Sequence, residues 1–374
     1  LHPSSFETAP QEDVEMPQQI GYAVVGSGDL MRSVLLGFAA AENSRVVAIV
    51  ASDRAQAQAL AQEARVAAYH LDEFRQCLSR DDVQAVYIAL PNSLHSDYTV
   101  DAARAGMHVL CERPMAVTAD ECRRMIRTCQ TNRVKFMVSY RLQFHPAFAK
   151  AMDLVRAGHL GALKTFSADV TLRIPTPEDV RLQRRLGGGS VYDLGVNCIA
   201  AARSLFAAEA AQVMAMTART TRRYGGDVDE GTVALIRFPD ERLAHFHSSF
   251  GEEPASTMAL FGEEGWLSLT PAFRHDVETR LLVSRHGRVE ETSFPPSAQY
   301  AAEIGYFSEC IRTDRQPEPS GIEGLQDVRT VEAIYRSGRD GRPVTLPRLA
   351  RLETAAATPE TETRKLDTVK RHAS

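Results

Sequence analysis

Ala85-Val86-Tyr87-Ile88-Ala89-Leu90-Pro91-Asn92 and, further on, His108-Val109-Leu110-Cys111-Glu112-Arg113-Pro114 decide how this chain folds. Each is an apolar run halted by proline, and the segment between them, Ser96–Ala105, is amphipathic and closed by Gly106. Strand, helix and strand joined by short links read as a parallel unit. Its strands, Ala85–Leu90 and His108–Cys111, are apolar throughout, which suits a sheet covered on both faces. Open parallel sheets bind ligands beyond the carboxyl ends of their strands. Glu112 and Arg113 stand at such an end, and Pro114 removes a donor and stops the strand. They are predicted to line a crevice.

Working outward, the same alternation starts at Ile20. Strands are predicted at Ile20–Val25, Arg45–Val50 and Lys135–Val138, with helices at Leu30–Ala41, Ala55–Arg65, Leu71–Leu78 and Ala119–Gln130. After about His145 the grammar changes. A helix at Pro146–Ala157 leads into alternating runs, among them Leu163–Leu172, Thr232–Phe238 and Leu243–Ser249, which lack helical crossovers and predict an antiparallel sheet. A helix at Gly189–Phe206 interrupts it, and helices at Tyr300–Thr313 and Ile322–Ser337 close it. The fold class is α/β plus α+β. A doubly wound parallel Rossmann domain spans residues 20–144, and a domain with an open antiparallel sheet spans 145–346. An N-terminal arm (1–19) and a tail (347–374), predicted to be disordered, flank them.

Composition narrows the function. With 374 residues two domains are expected, and a net charge of −5 argues against a nucleic-acid surface. No apolar run reaches a membrane span. The scattered Cys77, Cys111, Cys122, Cys129, Cys198 and Cys310 read as reduced, buried thiols rather than a zinc or disulfide framework, and no metal site is expected. The polar start lacks the pattern of a signal peptide, so the expected compartment is the cytoplasm, with export after removal of a signal peptide as the alternative.

Gly26-Ser27-Gly28-Asp29-Leu30-Met31 follows the first strand and opens the first helix. Glycines there let the backbone approach a pyrophosphate, which the helix N-terminus favours. Met31 occupies the place of the third glycine or alanine. At the end of the second strand, Asp53 suits ribose hydroxyls, as in NAD, and Arg54 suits the extra phosphate of NADP. Ser52 and Asp53 read equally as a helix cap. Either cofactor is compatible with these residues.

Leu90-Pro91-Asn92-Ser93-Leu94-His95 and Ala105-Gly106-Met107-His108 through Met115 resemble the Gfo/Idh/MocA oxidoreductases, and within them the glucose–fructose oxidoreductase branch. Ser139-Tyr140-Arg141-Leu142, Gly187-Gly188-Gly189-Ser190-Val191-Tyr192-Asp193-Leu194-Gly195 and Glu323 through Arg329 extend the resemblance over residues 20–346. It implies an enzyme that holds NAD(P), moves hydride to or from a sugar or polyol, and assembles as a dimer or tetramer through its open sheet. In that branch an N-terminal arm reaches across to a partner subunit. The resemblance places Gly26, Gly28, Ser52, Pro91, Asn92, His95, Glu112 and Arg141 at cofactor contacts and Asp193 beside the substrate. Two positions depart from the pattern. The usual lysine is Arg113, and the usual tyrosine or histidine is Asn197. The positions that in the family supply aromatic and basic contacts to the NADP phosphate are Leu71 and Gln56 here, which weakens the case for NADP.

These departures have chemical consequences. A crevice lysine can be tuned to exchange a proton, whereas a guanidinium stays charged and can only orient or polarise. Asn197 cannot transfer a proton either. Asp193 is left as the candidate base, and His145 as a displaced acid or base, although a helix-start histidine is the commoner reading. The expected function is an NAD(P)-dependent sugar oxidoreductase using Asp193, Arg113 and Asn197. The alternative is an impaired relative that binds NAD(P) or sugar as a sensor.

Overall fold

The computed structural model describes residues 19–348 apart from Ser27, the side chain of Asp29 and residues 220–226. Nearly all of the arm and of the tail therefore lie outside the described residues. Six parallel strands form the first sheet: β1 (Ile20–Gly26), β2 (Ser44–Ala51), β3 (Ala67–His70), β4 (Ala85–Ala89), β5 (His108–Glu112) and β6 (Phe136–Ser139). Their order is β3-β2-β1-β4-β5-β6, with the reversal of direction between β1 and β4. This is the doubly wound dinucleotide-binding arrangement. Between the strands run α1 (Gly28–Ala40), α2 (Arg54–Ala64), α3 (Phe74–Leu78), α4 (His95–Arg104) and α5 (Ala119–Thr131). β1 and β4 are buried along their whole length, which is why their sequences run apolar without alternation.

The second sheet is built from β7 (Leu163–Arg173), β8 (Gln212–Ala218), β9 (Gly231–Arg237), β10 (Leu243–Ser249), β11 (Gly251–Gly262), β12 (Gly265–Thr270), β13 (Thr279–Arg285), β14 (Arg288–Phe294) and β15 (Val344–Thr345). Their order is β14-β13-β12-β11-β7-β10-β9-β8-β15. One face packs on α6 (Pro146–Arg156), α7 (Val196–Phe206) and α9 (Gly321–Asp340), around Phe148, Phe166, Ile199, Phe246 and Ile334. The predicted antiparallel sheet is in fact mixed, because β7 and β10 pair in parallel. The physical reason is α7, a helical connection that returns the chain so that β8 starts from the same end as β7. The hairpins β8–β9 and β9–β10 then lay β10 beside β7 in the same direction.

Two further features depart from the sequence reading. β3, a four-residue edge strand, carries too short a pattern to be seen among polar neighbours. The helix predicted to help close the second domain, α8 (Gln299–Arg312), packs on the first: Tyr300, Ile304, Phe307 and Ile311 join Val34 and Phe38 of α1 and Tyr22 of β1 in one core. All six cysteines are buried and unpaired.

Candidate active site

The floor of the site is the row of carboxyl ends in the parallel sheet. At Gly26 a Cβ would lie 2.5 Å from the Ala89 carbonyl oxygen, so β1 and β4 close tightly there. Gly28 has φ +74°, and a side chain on it would meet no atom within 4 Å. The turn is packed below and open above, the shape a pyrophosphate needs. Leu30 is exposed, and Met31 is fully buried, filling the helix–strand space by bulk where a small residue would pack closer. Ser27 and the side chain of Asp29 are outside the described residues.

At the end of β2, Asp53 caps α2, accepting from the amides of Ala55 (2.8 Å) and Gln56 (3.2 Å). Arg54 pairs with Glu73 at 3.0 Å but stays largely exposed. Gln56 and Leu71 border the same edge. His70 contacts the Ser52 carbonyl through Nε2 at 3.0 Å. The end of β4 is tied to the end of β5 by His95, whose ring nitrogens face the carbonyls of Leu90 (2.8 Å) and Pro114 (2.9 Å). Burial lowers its pKa, although both carbonyls pull the other way. His95 thus positions the Leu90–Pro91 and Arg113–Pro114 loops and stays behind the crevice. Asn92 donates to the Gly187 carbonyl at 2.8 Å, joining the cofactor side to the glycine run.

Across the crevice stands a π-helical turn, Val191–Gly195, that leads into α7. Asp229 fixes it, accepting from Ser190 Oγ, Thr232 Oγ1 (3.0 Å) and Tyr335 Oη (2.6 Å). Gly189, at φ +132°, is where the chain threads between Tyr335 and Asp229; a Cβ there would lie 2.3 Å from the tyrosine oxygen. The turn delivers Asp193 to Arg113. The guanidinium donates through Nη1 to the Asp193 carbonyl at 2.8 Å and to its Oδ1 at 3.3 Å. Both side chains remain about one-fifth exposed, at 21% and 20%. Burial opposes the charge on Arg113, but Asp193, Glu112 and Tyr300 outweigh it and raise its pKa.

A second cation was not singled out from sequence. Arg181 lies 3.7 Å from the other Asp193 oxygen and is held by Asp179 at 2.9 and 2.7 Å. The signal available was its place in the arginine-rich segment Arg181–Arg185 just before the glycines. Asn197 donates to the carbonyls of Asp193 (3.1 Å) and Leu194 (3.2 Å), so its amide is spent on its own widened turn. Arg141 donates to His275 at 3.0 Å and Gln299 at 3.3 Å and lies over the Tyr300 ring.

The remaining candidates have other duties. His145 caps α6 through the Ala147 amide (3.0 Å), and its Nε2 lies 3.1 Å from Thr279 Oγ1; it is buried rather than facing solvent. Burial, then Arg141 and His275, push its pKa down to about 4. Tyr192 donates to the Val117 carbonyl at 2.6 Å. His245 and His247 lie on the outer face of the second sheet, and among the described residues no group of His, Cys, Asp and Glu is arranged to hold a metal.

Comparison with known proteins identifies the family. The family described as "Oxidoreductase family, NAD-binding Rossmann fold" matches residues 20–140, and the "GFO/IDH/MocA C-terminal domain" matches 148–268. The chain is 32% identical over 329 residues to the D-xylose 1-dehydrogenase (NADP(+)) 2 of Haloferax volcanii, covering 87% of this chain and 99% of that protein. It is 31% identical over 303 residues to a dTDP-3,4-didehydro-2,6-dideoxy-α-D-glucose 3-reductase of Streptomyces violaceoruber, covering 80% and 87%. The structure superposes on the aldose-aldose oxidoreductase of Caulobacter crescentus, complexed with glycerol, with a TM-score of 0.83 and 34% identity, covering 88% of this chain and 100% of that one. The chain belongs to the Gfo/Idh/MocA family of NAD(P)-dependent oxidoreductases, with the Rossmann and C-terminal domains in that family's order.

Proposed function

We propose that the protein is an NADP-preferring sugar oxidoreductase that acts on an aldose or a related polyol. The observation that carries this is the meeting of Arg113 and Asp193, far apart in sequence, across the carboxyl ends of the parallel sheet. Gly26, Gly28, Ser52, Arg54, Pro91, Asn92, Glu112 and Arg141 would hold the dinucleotide, which when bound supplies the hydride acceptor. Asp53 is engaged as a cap, while Arg54 is exposed beside it, and that favours the phosphate-bearing cofactor.

Within the crevice, Arg113 orients and polarises the substrate oxygen, and its permanent charge stabilises an alkoxide there. Asp193, steadied by two guanidinium groups, accepts a hydrogen bond from a sugar hydroxyl. Neither Arg113 nor Asn197 handles the proton.

The outer face of the second sheet bears Met214 and Met216 of β8, Val233 and Leu235 of β9 and Leu243 of β10, all exposed. Such a contiguous apolar strip suits a second copy of the chain. The six buried, reduced thiols suit the cytoplasm. Among the described residues no helix is long and apolar enough to cross a membrane.

The test is to purify the protein, assay nicotinamide binding by absorbance and fluorescence, and offer a panel of aldoses. Reduction of NADP by one of them is expected, faster than with NAD. A folded protein that binds nicotinamide but turns over no sugar would instead be a binding-only relative. Recovery of turnover in Arg113→Lys with Asn197→Tyr would then assign the loss to those two positions.

A further inference from the structure

Behind Glu112 runs a line of proton-bearing groups that the chemistry above does not use. Tyr87 of β4 donates to Glu112 Oε1 at 2.8 Å, and its hydroxyl lies 3.5 Å from Ser139 Oγ of β6. Ser139 in turn lies 2.7 Å from Oε2 of Glu303 on α8. Glu303 is completely buried, and its Oε1 has no hydrogen-bond partner among the described residues. An ionised carboxylate there would have one oxygen without a donor, a costly state. A carboxylic acid leaves the same oxygen without a donor but buries no charge, which costs far less.

We propose that Glu112 and Glu303 are the two ends of a buried proton wire, through Tyr87 and Ser139, that carries one exchangeable proton. With the proton on Glu303, the acid donates to Ser139, Ser139 to Tyr87 and Tyr87 to Glu112, which is then the carboxylate at the cofactor edge. Passing each proton one bond along leaves Glu303 ionised and Glu112 neutral. Three O–H bonds break and three form, and the number of protons is unchanged. Glu303 is therefore a positioning residue, setting the charge of Glu112 from behind the sheet.

The surroundings bias the wire. Burial, then the nearby Glu112 charge, push the Glu303 pKa up to about 8, against the pull of Ser139, Arg141 and Arg113. Tyr300, one turn earlier on α8, is the other titratable neighbour, pushed up to about 12. From α1, Phe38 packs edge-on against Tyr87 and offers no charge. A positive charge in the cleft favours the arrangement with the proton on Glu303, and its loss favours the reverse arrangement. In a site without the lysine, the wire couples protonation to the charge of the nicotinamide. That last link rests on the NAD(P) reading; the shared proton does not.

Infrared titration of the folded, cofactor-free protein tests it. A protonated-carboxyl C=O band sensitive to D₂O is expected at pH 7, titrating near pH 8 and lost in Glu303→Gln. In Glu112→Gln the midpoint is expected to fall by about one pH unit, the scale of removing one nearby like charge. Deuterium entry into this carboxyl is expected to slow about tenfold in Tyr87→Phe, equivalent to about 1.4 kcal/mol of barrier. If Glu303→Gln does not fold, Ser139→Ala breaks the same chain and is expected to slow entry alike. No protonated band at pH 7, a midpoint indifferent to Glu112, or entry indifferent to Tyr87 would each overturn the wire. Adding NADP⁺ and then NADPH is expected to move the midpoint in opposite directions. Absence of nicotinamide binding by fluorescence would remove the cofactor reading and leave the titration standing.

Discussion

The two sheets solve the same packing problem differently. The parallel sheet is buried on both faces: α1, α2 and α8 cover one side, and α3, α4, α5 and α9 the other. Among the described residues the second sheet is covered on one face only, and its strands alternate, as in β9, where Thr232, Ala234 and Ile236 point inward and Val233 and Leu235 outward. In the first sheet, the proposed cofactor and substrate contacts sit at strand ends, and its packed face adds the buried line of Tyr87, Ser139 and Glu303 under α8. In the second, the outer face carries no cover among the described residues, and the covered side presents Asp193 by way of α7. One sheet supplies the site's floor and the other carries its wall.

The largest effect expected from this contrast is on stability. Ile88→Ala, in the middle of β4 and fully buried, is expected to cost about 2–5 kcal/mol in denaturant unfolding. Leu235→Ala, 55% exposed on β9, is expected to cost less than about 0.5 kcal/mol in the isolated subunit. A cost for Leu235→Ala that grows with protein concentration would show that a second copy covers the outer face.

Acid and alkali sharpen the same contrast at a smaller scale. His145, fully buried at the start of α6, is held neutral with a pKa near 4 against an ordinary 6.5. Its folded form binds fewer protons than its unfolded form. Stability is therefore complete above pH 6.5 and falls as the pH drops towards 4, by about 3 kcal/mol, a loss that His145→Gln should remove. Glu303 has the opposite sign. Its pKa is raised from 4.5 to about 8, so its contribution is full below 4.5 and is lost as pH rises through 8. Thermal melts of Glu303→Gln should gain on the wild type as pH increases over that window. Curves that stay parallel would mean the carboxyl is not buried in the folded protein.

Legibility followed the same division. The parallel strands could be read because continuous apolar runs end in Gly26, Pro91 and Pro114, and those ends placed Arg113 at a crevice. What escaped were consequences of long-range packing. Which sheet α8 covers depends on the groove beside α1, and its own amphipathic pattern is silent about that. Glu303 did leave a trace, since it interrupts the apolar stripe of Tyr300, Ile304 and Phe307. Arg181 reaches Asp193 only because the loop folds over the glycine run, where the Gly188 and Gly189 amides donate to the Gln183 and Arg181 carbonyls. The duty of Asn197 could not be foreseen without the π-helical turn that leaves two carbonyls for its amide.

The smallest effect separates packing from recognition at the edge of the parallel sheet. Asp53→Ala removes both hydrogen bonds to the first turn of α2 and should cost about 1 kcal/mol. Asp53→Ser restores a capping oxygen without the charge, so stability should return to nearly the wild-type value. If Asp53 serves only as a cap, the ratio of kcat/KM for NADP to that for NAD stays unchanged in the serine variant. If its carboxylate also faces the ribose, its negative charge disfavours the extra phosphate, and removing it moves the ratio further towards NADP. Arg54→Ala should lower the ratio in either case. The pair of variants thus distinguishes an aspartate that ends a helix from one that selects a cofactor.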